Sequence, residues 1–337
     1  MITGNNAKKH FVNVILIVIL VVFIFLPKIV TVSYYLHLIV MSLIWFILIS
    51  GLNVIQGYTG YVSMCQIAFY GIGAYTSGLL MKNLHWGLGQ GILAAVGMGL
   101  IVGTIIGFPS LRTKGHYFSI VTLAFTMLMF TILRGWSGLT GGIVGFAVRP
   151  VSESLFGIPL NTRQGYYYLV LIFAVLTILF VKRMTGSRTG RAIIAVRENE
   201  NLASSIGVNV FAMKLLAFDI SAVLGCIAGA LYMHYVNFVS PAGFAAEYAM
   251  NTLLAGMVGG VGTLVGPAIG SFIVIFLPEM LRAAALYRQL AFGIVLIIIV
   301  FALPHGVVRP LTKLWTWALA KIFRKNNVEE ATLASNK

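Results

Sequence analysis

Of the 337 residues in this chain, 59% are hydrophobic and only 9% are charged, where a soluble domain carries about a quarter charged. An ordinary soluble domain is therefore excluded, and a polytopic membrane protein remains. The formal charge of +15 would point to nucleic acid in a soluble protein; here the basic residues fall in short breaks between apolar runs, so a lipid bilayer and no nucleic acid is the expected surrounding.

Residues 1–10, with Lys8 and Lys9, read as a cytoplasmic N-terminus. The apolar run Phe11–Leu26 leads into Pro27-Lys28-Ile29-Val30, which offers no small-residue cleavage site, so it is expected to be a retained helix and not a signal peptide. Further apolar runs lie at 36–55, 62–80, 91–108, 117–133, 165–181, 213–235, 248–264, 266–281 and 289–304. The fold class expected is all-α, a transmembrane helical bundle over 11–305 with about ten membrane segments, several near the ~20 residues that a spanning helix needs. The runs at 62–80 and 248–281 are short or interrupted by glycine, which predicts broken or re-entrant helices there. Cys65 and Cys226 lie inside apolar runs without metal-ligand spacing and are expected to be packing residues.

Alternating the runs across a bilayer puts sixteen Lys and Arg on one side and seven on the other. The richer side should be cytoplasmic, which places both termini inside and the 134–164 loop outside. That loop holds Gly135, Gly138, Gly141, Gly142, Gly145, Pro150 and Pro159, which favour turns. Beyond Pro310, Leu311, Leu314, Trp315, Ala318, Leu319, Ile322 and Phe323 recur at helical spacing opposite Lys313, Lys321 and Lys325. This predicts an interfacial helix and tail over 306–337.

Glycine-dense stretches occur at 57–78 and 256–270, where small residues either let helices pack closely or mark a translocation path. Polar side chains in the apolar runs are expected to bond a neighbouring helix or to line that path: Asn53, Gln56, Ser63, Gln66 and Asn251. Asp219 is the costliest of them to bury, and is read either as a lining charge or as an ion-pair partner of Lys214 or a nearby Arg.

The basic stretch 182–212 is the long polar interruption. After the turn Gly186–Arg191, residues 192–206 contain no Gly or Pro and mix Ile193, Ile194, Val196, Leu202 and Ile206 with Arg197, Glu198, Asn199 and Glu200. This predicts a short amphipathic helix closed by Gly207, suited either to a partner's groove or to connecting two spans. No G-x-x-x-x-G-K-[ST], HExxH or GxSxG pattern is present, so catalysis by this chain is not expected.

Four groups of residues resemble the permease subunits of branched-chain amino acid ABC transporters, the LivH/LivM type, and LivM in particular. They are Gly51-Leu52-Asn53 through Gly57-Tyr58-Thr59-Gly60 to Ala68–Tyr75; Leu111–Phe118 with Leu139-Thr140-Gly141-Gly142; Gly190-Arg191 through Ala203 and Gly207 to Lys214–Phe218; and Phe238-Val239-Ser240-Pro241 with Gly259–Pro267. The resemblance implies a bacterial inner-membrane importer with a second, LivH-like permease, two cytoplasmic ATPases that bind ATP and magnesium, and an external solute-binding protein; no cofactor is implied for this chain. It also implies that the Arg197 to Gly207 region is the ATPase-coupling helix, with Arg197, Glu198, Asn199, Glu200, Ala203 and Gly207 as its candidate residues. Gln66, where the family pattern has histidine, and Asp219, where it is apolar, leave urea or a short-chain amide open as cargo beside branched-chain amino acids. An ion-coupled carrier using Asp219 is the alternative from another class.

Overall fold

The computed structural model describes residues 32–113, 115–149, 162–281 and 287–302, with short pieces at 23, 25–27, 154–155, 158–159 and 306–308. Nearly all of the expected first helix, the N-terminus, and the expected interfacial helix and tail after Pro310 lie outside the described residues.

The described chain is helical, as expected. Helix α1 (Ser33–Asn53) continues through a π-turn (Val54–Tyr58); it is followed by α2 (Gln66–Leu84), α3 (Leu88–Ser110), α4 (His116–Gly135) and the short α5 (Ser137–Thr140). Next come α6 (Arg163–Gly186), α7 (Arg188–Glu198), α8 (Glu200–Ser205), α9 (Val210–Val236), α10 (Ala246–Gly259), α11 (Gly266–Met280) and α12 (Arg288–Ala302). Among the described residues, five segments are long and apolar enough to cross a membrane: α1 with its π-turn, α3, α4, α6 and α9.

Helix α1 is apolar on every side, and from Leu43 to Thr59 it is buried throughout. A helix of that kind belongs in the middle of a bundle. Helices α3, α4 and α6 instead show apolar side chains outward, among them Ile101, Ile105, Ile120, Leu128, Leu176 and Leu179, as lipid contact requires. The long axis is set by α9, whose 27 residues reach about 40 Å at 1.5 Å per residue, more than the ~30 Å of a hydrocarbon core.

Glycine sets the spacing of the helices around α9. On α3, a Cβ at Gly99, Gly103 or Gly107 would press on Val223, Ala222 and Phe218 in turn, so the two helices run antiparallel along a four-residue glycine stripe. Helix α2 runs parallel to α9: Gln66 meets Ser221, Tyr70 meets Gly229 and Ser77 meets His234. Its first residue therefore lies at the level of Ser221, about eleven residues, or ~16 Å, along α9. The expected span at 62–80 is corrected accordingly. Residues 60–65 are not helical, and they carry the chain through the lower half of the bundle.

The expected span at 248–264 ends early, because Gly260 at φ +123° turns the chain out of α10. Helices α10 and α11, of 14 and 15 residues, are each only about 21–23 Å long. They form an antiparallel hairpin in which Gly259 lies on Gly266 and Gly270 on Ala255, so tightly that a Cβ at Gly259 would collide with the Gly266 carbonyl oxygen. The predicted glycine interruption is thus a helix–break–helix unit. At the opposite end of α9 from α8, β1 (Phe146–Ala147) pairs antiparallel with β4 (Phe238–Val239), and β2 (Ser154–Leu155) pairs with β3 (Ile158–Pro159). The 134–164 loop keeps its glycine turns, with Gly141, Gly142 and Gly145 all at positive φ, yet also holds α5 and three short strands.

Candidate functional site

The polar segment between α6 and α9 is two helices where one was expected. Asn199, at φ −161° and ψ 111°, is extended and breaks the run. Its Oδ1 accepts the Leu202 N–H at 3.0 Å, so the residue ends α7 and caps α8 at once. Ser187 and Asn209 start α7 and α9 in the same way, accepting from the N–H groups of Gly190 and Ala212. Gly207 closes the segment at φ +85°, a left-handed turn for which glycine is suited.

One face of this segment grips the bundle. Arg197 Nη1 donates to the Gly57 carbonyl oxygen at 2.6 Å, at the end of the π-turn, and lies beside Gly60 and Gly262. Glu200 Oε1 accepts from the Tyr61 hydroxyl at 2.8 Å and pairs with Lys214 Nζ at 2.6 Å. Lys214 Nζ in turn donates to the Tyr61 oxygen at 2.6 Å, which closes a triangle joining α8, α9 and the irregular segment after α1. Lys214 is buried and Glu200 is a third exposed. Ala203 is buried beneath, whereas Leu202 and Ile206 are 64% and 70% exposed and form an apolar outer face. Glu198 is exposed as well. Of the six coupling candidates, Arg197, Asn199, Glu200 and Ala203 therefore hold the segment in place, and Gly207 turns the chain.

The path candidates divide differently. Asn53 holds the hairpin tip, donating to the Thr263 carbonyl at 2.8 Å and accepting the Gly262 N–H at 2.7 Å. Gln66 is saturated inside the bundle: Nε2 donates to the Leu48 and Ser221 carbonyls and Oε1 accepts from Ser221 Oγ. Ser63 is buried against Cys65, with 3.1 Å between Oγ and Sγ. Gln56 is buried against Gly256. Asn251 lies half-buried on α10. The ion pair read for Asp219 with Lys214 is not formed: Lys214 takes Glu200 instead, while Asp219 Oδ2 accepts from Thr104 at 3.2 Å across the α3–α9 contact and Oδ1 has no hydrogen-bond partner.

Sequence reasoning missed a set of hydroxyls on α4. Ser119, Thr122 and Thr126 share one helical face and meet the irregular segment. Ser119 Oγ donates to the Val62 carbonyl at 2.7 Å, the Met64 N–H donates to Thr122 Oγ1 at 3.1 Å, and Thr126 Oγ1 donates to the Met64 carbonyl at 3.0 Å. Their spacing in an apolar run was the available signal. Between this segment and the α7–α8 junction lies a cavity of about 530 Å³, lined by Thr59 to Val62, His116, Ser119 and Val196 to Asn201.

Residues 34–303 match the family model described as branched-chain amino acid transport system / permease component. The chain is 30% identical to the high-affinity branched-chain amino acid transport system permease protein LivM of Escherichia coli strain K12, over 93% of this chain and 77% of the relative. It is 26% identical to the probable LivM permease of Methanocaldococcus jannaschii, over 68% of this chain and 71% of that one. To the LivH permease of Escherichia coli strain K12 it is also 26% identical, over 76% of this chain and 88% of the relative. No solved structure matches the chain. The apolar bundle, the broken helices and these similarities agree, and the chain belongs to the family of branched-chain amino acid transport permease components.

Proposed function

We propose that the chain is one of two permease subunits of an ATP-binding cassette importer and forms half of the pathway for branched-chain amino acids across the bacterial inner membrane. The second subunit is a LivH-like permease. Two cytoplasmic ATPases, which bind ATP and magnesium, engage the α7–α8 segment, and an external binding protein delivers solute near the 134–164 loop. Both termini then lie in the cytoplasm.

The observation that carries the reading is the two-sided α8. Its buried face is tied to α9 and to the end of α1 by Glu200, Lys214, Tyr61 and the neighbouring Arg197, while Leu202 and Ile206 face outward. An element anchored this way transmits a push from a partner's groove to the helix ends, as a coupling helix must. ATP and loaded binding protein shift the conformational equilibrium only through unequal affinity for its two states.

Reconstitution in vesicles of this chain with its partner permease and ATPases tests the proposal. Leucine uptake should require both ATP and the binding protein, and Leu202→Asp should lower uptake and ATPase co-purification together. Uptake driven by an ion gradient with the ATPases omitted would overturn it and restore the ion-coupled carrier.

A further inference from the structure

We infer that the irregular segment 60–65 is this chain's gate on the coupling side, latched by the α4 hydroxyls and released by the coupling segment through Tyr61; the inference rests on the importer reading above. Backbone that leaves helical form inside a bilayer must find partners within the protein. Here those partners are side chains of a different helix. Ser119, Thr122 and Thr126 hold the carbonyls of Val62 and Met64 and the N–H of Met64, so the segment can be released from α4 without breaking a backbone ladder in either helix.

The same segment forms one wall of the 530 Å³ cavity, with Val196 to Asn201 opposite. Solute passing the gate would enter this space. Its lining includes Arg197 and Glu200, which hold the coupling segment to the bundle, and the exposed Glu198. Tyr61 supplies the drive. It lies three residues before Met64 in an irregular stretch, and its hydroxyl is bonded to Glu200 on α8 and to Lys214 on α9. A shift of α8 thus pulls on the segment at Tyr61, next to Val62, the first residue latched to α4.

The test uses the whole transporter in vesicles, with radiolabelled leucine as the probe. Val62→Cys/Ser119→Cys, treated with a short bis-thiosulfonate that links thiols through reducible disulfides, should lose ATP-driven uptake and regain it on reduction, while each variant with only one of these cysteines, treated alike, keeps importing. Undiminished uptake with the link shown by mass spectrometry would overturn the gate. Thr122→Val decides the matter independently if the double variant does not assemble. Losing the latch should raise ATP-independent efflux of preloaded leucine several-fold, and efflux equal to that of the unaltered complex would also overturn it. Failure of the unaltered complex to import on ATP would instead overturn the importer reading, so the two failures are distinguishable.

Discussion

The helices are interrupted twice near the α7–α8 segment, once at 60–65 and once at 260–265, and the two interruptions are held by different means. The second is a closed joint: glycine backbones of α10 and α11 lie against one another, Asn53 holds Gly262 and Thr263, and Gly306 rests on Gly260. The first is held by hydroxyls reaching from α4 and by the Tyr61–Glu200–Lys214 triangle. Close backbone contact cannot yield by a fraction of an ångström without a clash or a void, whereas side-chain hydrogen bonds can exchange partners. The difference assigns rigidity to the hairpin tip and movement to the segment after α1.

The comparison breaks first at the closed joint. Gly259→Val places side-chain atoms where the Gly266 carbonyl stands, and overpacking of this kind costs ~3 kcal/mol or more. A large fall in the unfolding midpoint in detergent is expected; an unchanged midpoint would show that the hairpin has slack. Lys214→Met comes next. It leaves Glu200 without its cation, and because Glu200 is partly exposed the loss should be ~1–3 kcal/mol. Adding Glu200→Gln should recover part of that loss in a double-mutant cycle, and strict additivity would deny the pair any coupling.

Asn53→Ala strips two bonds from the hairpin tip, at ~1–2 kcal/mol, and hydrogen exchange should quicken at Gly262 more than at Met64. Equal quickening at both would mean that the two interruptions open as one. The smallest effect is expected from Asp219→Asn, under ~0.5 kcal/mol with leucine import retained, because Asp219 contacts Thr104 at a helix contact apart from both interruptions. Loss of import in that variant with normal insertion would place Asp219 in the pathway.

The all-α class was legible from composition alone, and the polar segment after α6 from its charge. The break inside that segment was signalled too, since Asn199 stands three residues before Leu202, at capping distance. It was passed over because 192–206 has neither Gly nor Pro, and a capping asparagine can end a helix without either. The span expected at 62–80 overshot because apolarity marks what lies within the bilayer without distinguishing helix from irregular backbone satisfied by another helix. The hydroxyls of Ser119, Thr122 and Thr126 reveal themselves only against the carbonyls they meet. The expected pairing of Asp219 with Lys214 fails for a similar reason. Nearness in sequence favoured Lys214, but α9 carries Lys214 toward Glu200 and Asp219 toward α3.

Three consecutive helices between Ser187 and Val236 each begin with a residue whose own side chain seals the first turn. A six-residue helix such as α8 would fray alone in water, where short helices are marginal; here Asn199 at its start and the Glu200–Lys214 bond fix it before any partner arrives. On the proposed importer reading, the docking surface is therefore pre-organised. Little ordering entropy would then be lost on association, and more of the contact energy at Leu202 and Ile206 would remain to drive the proposed conformational change.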